Sequence, residues 1–261
     1  MKECLARVVD NSPLCDTMFQ LTLRCDGLFE DGAEAGQFVN IAVNNPSLPL
    51  RRPISIYAID RQKREIRLAV QAKGEGTLAL LRSKKGDELS LLGALGNAFS
   101  WFVPNNAKRV FLVGGGVGVA PVRCAFDELS AKYDCSLFAG YRNVGLVYGL
   151  DGIEKERVFA VSDDGSFGEK ALVTKPLGEQ IEKNKPDVIL ACGPAPMLRA
   201  VSDLSEKHGI ACAVSLEQRM GCGLGACLVC SCKVKAKTPE GYAYRRVCAD
   251  GPIFDAREVI F

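Results

Sequence analysis

Three cysteines spaced C-x4-C-x2-C (Cys222, Cys227 and Cys230) and a fourth, Cys248, after seventeen intervening residues constrain this chain more than any other feature. One tight loop that supplies three thiolates, with the fourth arriving from beyond it, suits a [2Fe–2S] rhombus. Gly221, Gly223 and Gly225 are interleaved with that loop. A backbone wrapped round inorganic sulfur needs unusual φ values and inward-turned N–H groups, which glycine permits at least cost. Structural zinc more often takes two short knuckles, whereas Cys227 and Cys230 form the one C-x2-C here. Cys232 offers an alternative ligand, because on an extended segment it points the same way as Cys230. The other seven cysteines, Cys4, Cys15, Cys25, Cys124, Cys135, Cys192 and Cys212, stand singly among apolar residues and are expected to be buried free thiols.

Composition narrows the class of protein. At 261 residues and 48% hydrophobic content the chain can bury a core in one large domain or in two to three small ones. Its 33 basic and 31 acidic residues nearly cancel, so no nucleic-acid-binding surface is expected. No basic amino terminus leads into an apolar run, and no stretch approaches the ~18 apolar residues of a membrane span, so neither a secretory signal nor a membrane segment is expected. Many single cysteines beside a cluster imply a reducing compartment, and the cytoplasm is the expected location.

Along the chain the pattern changes twice. Short β-like runs separated by turns (6–9, 18–24, 37–43, 54–58, 65–71 and 88–92) predict an antiparallel barrel. From about residue 108 strands alternate with helices: strands 109–113, 136–141, 157–161 and 187–192, and helices 121–133, 175–183 and 196–208. From about Leu216 regularity gives way to the cysteine loop. The expected fold class is therefore multidomain, β and α/β: an N-terminal antiparallel β-barrel over residues 1–100, a parallel-sheet α/β nucleotide-binding domain over 101–214, and a small [2Fe–2S] cysteine-loop domain over 215–261.

Three further motifs carry chemistry. Gly114-Gly115-Gly116-Val-Gly118-Val-Ala120-Pro121 lies between a strand and a helix, where a dinucleotide pyrophosphate rests on backbone N–H groups. Unlike the usual fingerprint, the next strand ends Gly140-Tyr-Arg142, with no acid to read a ribose hydroxyl. Cys192-Gly193-Pro194-Ala-Pro-Met197 follows another apolar strand; it reads either as a stiffened loop or as a nicotinamide contact. In the barrel half, Arg51-Arg52-Pro53-Ile54-Ser55 and Gly74-Glu-Gly76-Thr77 could be a solvated edge and a helix start, or could clamp one phosphate from two sides. Asp163-Asp164-Gly165 is expected to be a turn rather than a metal site, and His208 a capping or surface residue.

Arg52-Pro-Ile-Ser55, Gly76-Thr77, Leu92-Gly-Ala-Leu-Gly-Asn97 with Phe99, and the two glycine- and proline-rich loops occur in the order seen in the ferredoxin–NADP reductase superfamily. The segment Ser215–Cys230 with the tail Val247–Ala256 is narrower, and closely resembles the electron-transfer subunits of the two-subunit bacterial NAD-dependent dihydroorotate dehydrogenases. That resemblance spans essentially the whole chain. It implies one FAD, one [2Fe–2S] cluster, NAD as substrate, and a heterotetramer of two copies each with an FMN-containing catalytic subunit.

By the same resemblance Arg52 contacts the FAD pyrophosphate, Pro53, Ile54 and Ser55 lie at the flavin, Ala69, Val70 and Gln71 line its ring or ribityl chain, and Gly76 and Thr77 hold phosphate. Ile54 stands where many relatives place a stacking aromatic. Gly114, Gly115, Gly116, Gly118, Ala120, Pro121, Cys192, Gly193, Pro194 and Met197 are implied NAD contacts. Cys222, Cys227, Cys230 and Cys248 are the implied cluster ligands, and Cys232 receives no role. No side chain is expected to be a catalytic acid or base, because hydride passes between cofactors. Two alternatives stand: the diaphorase subunit of another flavin and iron–sulfur complex (an NADH-dependent ferredoxin–NADP reductase, sulfide dehydrogenase or hydrogenase), and a zinc-stabilised nucleotide-binding module.

Overall fold

The structure is a computed structural model that describes residues 2–30 and 32–261. Six strands, β1 (Lys2–Cys15), β2 (Met18–Arg24), β3 (Phe38–Ile41), β4 (Arg52–Asp60), β5 (Glu65–Gln71) and β6 (Glu88–Leu95), close an antiparallel barrel in the order β1-β2-β5-β4-β3-β6. Closure rests on β1, which is long enough for two neighbours: Lys2–Arg7 pair with β6 and Arg7–Cys15 with β2. Alternate residues fill the interior, among them Phe19, Leu21, Leu23, Val39, Ile41, Ile66, Leu68 and Val70, as the period of two demands. Two helices in this half, α1 (Asp26–Glu30) and α2 (Glu75–Leu81), are short, five and seven residues long.

The second half is a seven-stranded sheet. Its strands are β7 (Arg109–Gly115), β8 (Asp134–Tyr141), β9 (Val158–Ser162), β10 (Glu169–Lys170), β11 (Val188–Cys192), β12 (Ala211–Ser215) and, from the far C-terminus, β15 (Ile253–Asp255), in the order β10-β9-β8-β7-β11-β12-β15. All pairings are parallel except that of β15. Helices α3 (Val119–Leu129), α4 (Thr174–Lys183) and α5 (Ala195–Lys207) supply the crossovers. The order reverses between β7 and β11, so the crevice beyond their carboxyl ends is where an open α/β sheet binds its ligand. A hairpin, β13 (Ser231–Lys235) with β14 (Tyr242–Arg246), and the short α6 (Val247–Asp250) complete the chain.

Several expectations are corrected. Cys4 and Cys25 are not free thiols: they form a disulfide between β1 and the residue that follows β2, because these strands pair antiparallel with Arg7 opposite Arg24; Cys124, Cys135 and Cys212 are free and buried, and Cys15 and Cys192 are free and half-buried. The helix expected over 121–133 runs Val119–Leu129 and that over 196–208 runs Ala195–Lys207. Strands β12 and β15 have no counterpart among the expected elements. Ala211-Cys-Ala-Val-Ser215 carries one β-branched residue, and β15 is three residues long and pairs with a strand some forty residues earlier.

Asp187 pins β11 to β7: one of its carboxylate oxygens accepts the N–H groups of Lys108 (2.7 Å) and Arg109 (2.9 Å). These donors, Arg109 first, hold its carboxyl below the usual carboxylate range. A lowered folded-state pKa contributes stability above the unfolded value of about 3.9 and loses it as pH falls through the folded one. Asp187→Asn is therefore expected to lower stability at neutral pH by a few tenths of a kcal/mol, about 0.5 at most, because solvent screens this exposed carboxylate. The difference should vanish at about pH 2; urea midpoints at both pH values check it.

Candidate functional site

The barrel's outer face and the carboxyl ends of β7, β11 and β12 meet in a cleft of about 380 Å³. From the barrel come Arg52, Pro53, Ile54, Ser55, Ala69, Gln71, Lys73 and Thr77; from the sheet come Gly115, Gly116, Gly118, Ala120, Pro121, Cys192, Gly193 and Pro194. Motifs more than a hundred residues apart in sequence thus share one space. The strand period explains which residues of β5 reach it: Ala69 and Gln71 face the cleft, whereas the Val70 side chain lies in the barrel core. Gly114 and Met197 stand behind the lining and hold its shape. A Cβ on Gly114 would meet Val119 at 2.7 Å, and one on Gly115 would meet the Met197 sulfur at 2.4 Å.

The loops of the switch point are locked together. A Cβ on Gly118 would lie 2.2 Å from the Cys192 carbonyl oxygen, so the glycine loop rests directly on the backbone of the second loop. Beneath it the Tyr148 hydroxyl lies 3.1 Å from the carbonyl oxygens of both Gly116 and Val117. Occupying those carbonyls leaves the loop's N–H side for an anion.

Across the cleft, Gly76 makes room for Arg52: an added Cβ would stand 1.9 Å from the guanidinium Nε. Thr77 is committed elsewhere. Its hydroxyl accepts the N–H groups of Lys73 (3.0 Å) and Gly74 (3.1 Å) and donates to the Gly74 carbonyl (3.0 Å), which closes the turn before α2. Arg52 and the exposed Lys73 are then the cations that this wall offers to phosphate. Phe38, paired with Ser55 across β3 and β4, is the one aromatic side chain among the described residues lining the cleft. Sequence reasoning missed it, although an aromatic opening an apolar strand is a detectable signal.

The segment leaving β12, from Ser215 through Met220, forms another wall of the cleft, and Cys222 follows two residues later. All four expected ligand sulfurs receive a backbone N–H: Cys222 from Leu224 (3.3 Å), Cys227 from Cys222 (3.4 Å), Cys248 from Gly225 (3.2 Å) and Cys230 from Cys248 (3.4 Å). Leu224's N–H is the main cause that brings Cys222 down to about 6. Burial pushes Cys248 up to about 12, so its thiolate calls for a positive partner such as iron. Cys230 and Cys248 are buried (2% and 3% exposed) while Cys227 faces outward, so the donor set has an inner and an outer side. Among the described residues no three acidic, cysteine or histidine side chains gather as a single metal ion requires. Cys232 is 8% exposed and belongs to the same buried cluster as Cys230, Cys248 and Val234.

A brace steadies this loop. Arg246 donates to Asp250 through Nε (3.0 Å) and Nη2 (2.9 Å), while its Nη1 donates to the Gly225 carbonyl (2.9 Å). The pair straddles Cys248 at an (i, i+4) spacing, a signal present in the sequence. Outer partners of metal ligands typically set affinity within 10–100-fold. Arg246→Gln is expected to speed loss of bound iron to a chelator about tenfold, followed by bleaching of the visible spectrum. The remaining motifs lie outside the cleft lining. Asp164 accepts the N–H and hydroxyl of Ser166 in a turn closed by Gly165 (φ +81°), Arg142 is exposed beyond β8, and His208 caps α5.

Comparison with known proteins accords with this geometry. Residues 217–260 match the family model described as the iron–sulfur cluster binding domain of dihydroorotate dehydrogenase B, and residues 112–203 match the oxidoreductase NAD-binding domain. Curated relatives include the dihydroorotate dehydrogenase B (NAD(+)) electron transfer subunits of Caldanaerobacter subterraneus subsp. tengcongensis, 37% identical over 98% of both chains, and of Enterococcus faecalis strain OG1RF, 38% identical over 99% of this chain and 98% of the relative. Among solved structures, an NADH-dependent reduced ferredoxin–NADP oxidoreductase superposes with a TM-score of 0.83 at 26% identity, covering 98% of this chain and 89% of that one. Phthalate dioxygenase reductase shares the fold at a TM-score of 0.66 and 16% identity, over 94% of each chain.

Proposed function

This chain belongs to the family of dihydroorotate dehydrogenase B electron transfer subunits, and on that footing we propose that it carries electrons from a dihydroorotate-oxidising partner subunit to NAD+. The observation that carries the reading is the continuity of the site. One cleft joins the barrel face that carries Arg52 and Lys73 to the glycine loop after β7, and the wall of that cleft runs directly into the four-thiol loop. The zinc-module alternative explains the thiols but gives the barrel face no purpose. The other diaphorase complexes fit the cleft equally, and full-length similarity to the dihydroorotate dehydrogenase subunits favours the first reading.

When bound, FAD exchanges a hydride with the nicotinamide and single electrons with a [2Fe–2S] cluster, a conversion that neither of the other two groups performs alone. The residues do the placing. Arg52, with Lys73, neutralises the FAD phosphates. Ser55, Ala69 and Gln71 stand along the flavin, and Phe38 with Ile54 supplies an apolar wall in place of a stacking aromatic. Gly115, Gly116 and Gly118 present N–H groups to the NAD pyrophosphate, while Cys192, Gly193 and Pro194 bound the nicotinamide. Burial pushes the Cys192 thiol up to about 12, so it is an uncharged neighbour at neutral pH. Cys222, Cys227, Cys230 and Cys248 hold the cluster.

The partner is an FMN-containing catalytic subunit, in a complex of two copies of each, located in the cytoplasm. Among the described residues no helix is long and apolar enough to cross a membrane. Leu224, Leu228 and Val229 are exposed around Cys227, an apolar rim suited to receive that partner. Anaerobic titration of the purified chain with NADH tests the redox reading. FAD, iron and acid-labile sulfide in a 1:2:2 ratio, with bleaching of both chromophores, is expected. A colourless protein with stoichiometric zinc would end it.

A further inference from the structure

We propose that Asn40 is a positioning residue that locks the cluster loop onto the flavin-side barrel and thereby fixes the geometry between the two redox sites. The inference rests on the flavin and cluster assignments above. Asn40 lies on β3 and is 1% exposed, a polar side chain in a strand whose four residues are all buried. Val39 and Ile41 fill the barrel interior, so Asn40 shares the opposite face with Phe38, which lines the cleft. In register it pairs with Pro53 of the Arg52–Ser55 motif, and its carbonyl accepts from Arg51 Nη1 (3.4 Å).

The side chain reaches the other way. Its Nδ2 donates to the carbonyl of Cys222 (3.3 Å), and a Cβ on Gly223 would stand 2.4 Å from the same nitrogen. Gly223 holds a φ of +70°, so the loop has adopted a glycine-only approach to bring its backbone onto this amide. One residue thus touches the flavin strand pair through its backbone and a cluster ligand through its side chain. A second observation points to a bound group: Asn40 Oδ1 is buried and finds no partner among the described residues. An unpaired buried acceptor costs about 1–3 kcal/mol. The amide's donor arm meets the cluster loop, and its acceptor arm is left for a group the chain does not supply.

The test compares wild type with Asn40→Leu, which keeps the branched shape but neither polar atom, and Asn40→Ala, which spares Gly223 any clash. Three readouts are normalised to bound cofactor: the EPR spectrum of the dithionite-reduced cluster, the rate at which NADH bleaches the cluster under anaerobic mixing, and NADH–ferricyanide turnover. NADH delivers two electrons and the cluster takes one of them; ferricyanide draws on the flavin directly. The proposal expects altered g-values or linewidths and slower cluster bleaching per cluster in both variants. Ferricyanide turnover should stay within about twofold of wild type. Wild-type spectra and bleaching rates in both variants would overturn the proposal. So would a lower iron content with unchanged spectrum and rate per cluster, because that is a purely structural role. If wild type itself lacks flavin or iron and sulfide, the underlying reading fails instead.

Discussion

Cys248→Ser is expected to abolish dihydroorotate-to-NAD+ electron flow while leaving NADH–ferricyanide turnover within about twofold, because it removes the one ligand that ties the loop to the rest of the chain. Cys222, Cys227 and Cys230 come from one turn, whereas Cys248 arrives on α6, held there by the Gly225 N–H and the Arg246–Asp250 brace. A serine keeps the shape but is a poor iron ligand at neutral pH. Loss of an outer partner alone costs 10–100-fold in metal affinity, so loss of a ligand should drop retained iron and sulfide to a small fraction and the coupled rate more than about 100-fold. Iron analysis, the reduced-state EPR signal and the two activities separate the cases. Full iron content with an unchanged signal would remove Cys248 from the ligand set.

Gly118→Ala should act at the other end of the electron path, with the largest effect of any single methyl group. The added carbon would lie 2.2 Å from the Cys192 oxygen and 2.7 Å from the Gly193 nitrogen. Both are backbone atoms at the end of a central strand and have no rotamer through which to retreat. The two loops must part, at about 3 kcal/mol, the upper end for overpacking, which lowers Tm by about 6–10 °C in a chain of this size. The same loops bound the proposed nicotinamide site. A displacement of about 1 Å there should cut NADH-dependent turnover about 100-fold. Gly178→Ala is the matching control: within α4 its Cβ finds Leu204 at 3.9 Å, so the identical substitution should stabilise by about 0.5–1 kcal/mol. Equal and small effects at both positions would contradict the locked-loop geometry.

What the sequence made legible follows the range of the interactions. The cysteine spacing, the glycine loop and the CGPAPM loop are local, and each lies where its motif places it, on a strand end or in a turn. Barrel strands with strong alternation were readable to the residue: β2 and β5 run Met18–Arg24 and Glu65–Gln71, as expected. Elements defined by partners far along the chain were not. β15 exists because β12 offers it an edge, and the Cys4–Cys25 pair exists because β1 and β2 pair antiparallel in a register that sets Arg7 opposite Arg24. Asn40 belongs to the same class: a lone polar residue between Val39 and Ile41 is visible in the sequence, but its contact with Cys222 spans 182 positions. Val70 and Thr77 show the converse. Both fall inside motifs that the resemblance assigns to FAD, yet the first turns its side chain into the core and the second spends its hydroxyl on closing a turn.

The most direct test of the central claim is dihydroorotate-dependent reduction of NAD+ after co-expression of this chain with the dihydroorotate dehydrogenase catalytic subunit from the same source. The account predicts that the two chains co-elute and that NADH forms only when both are present. A flavin- and iron-loaded chain that oxidises NADH with ferricyanide, yet neither binds that subunit nor couples to dihydroorotate, would contradict it.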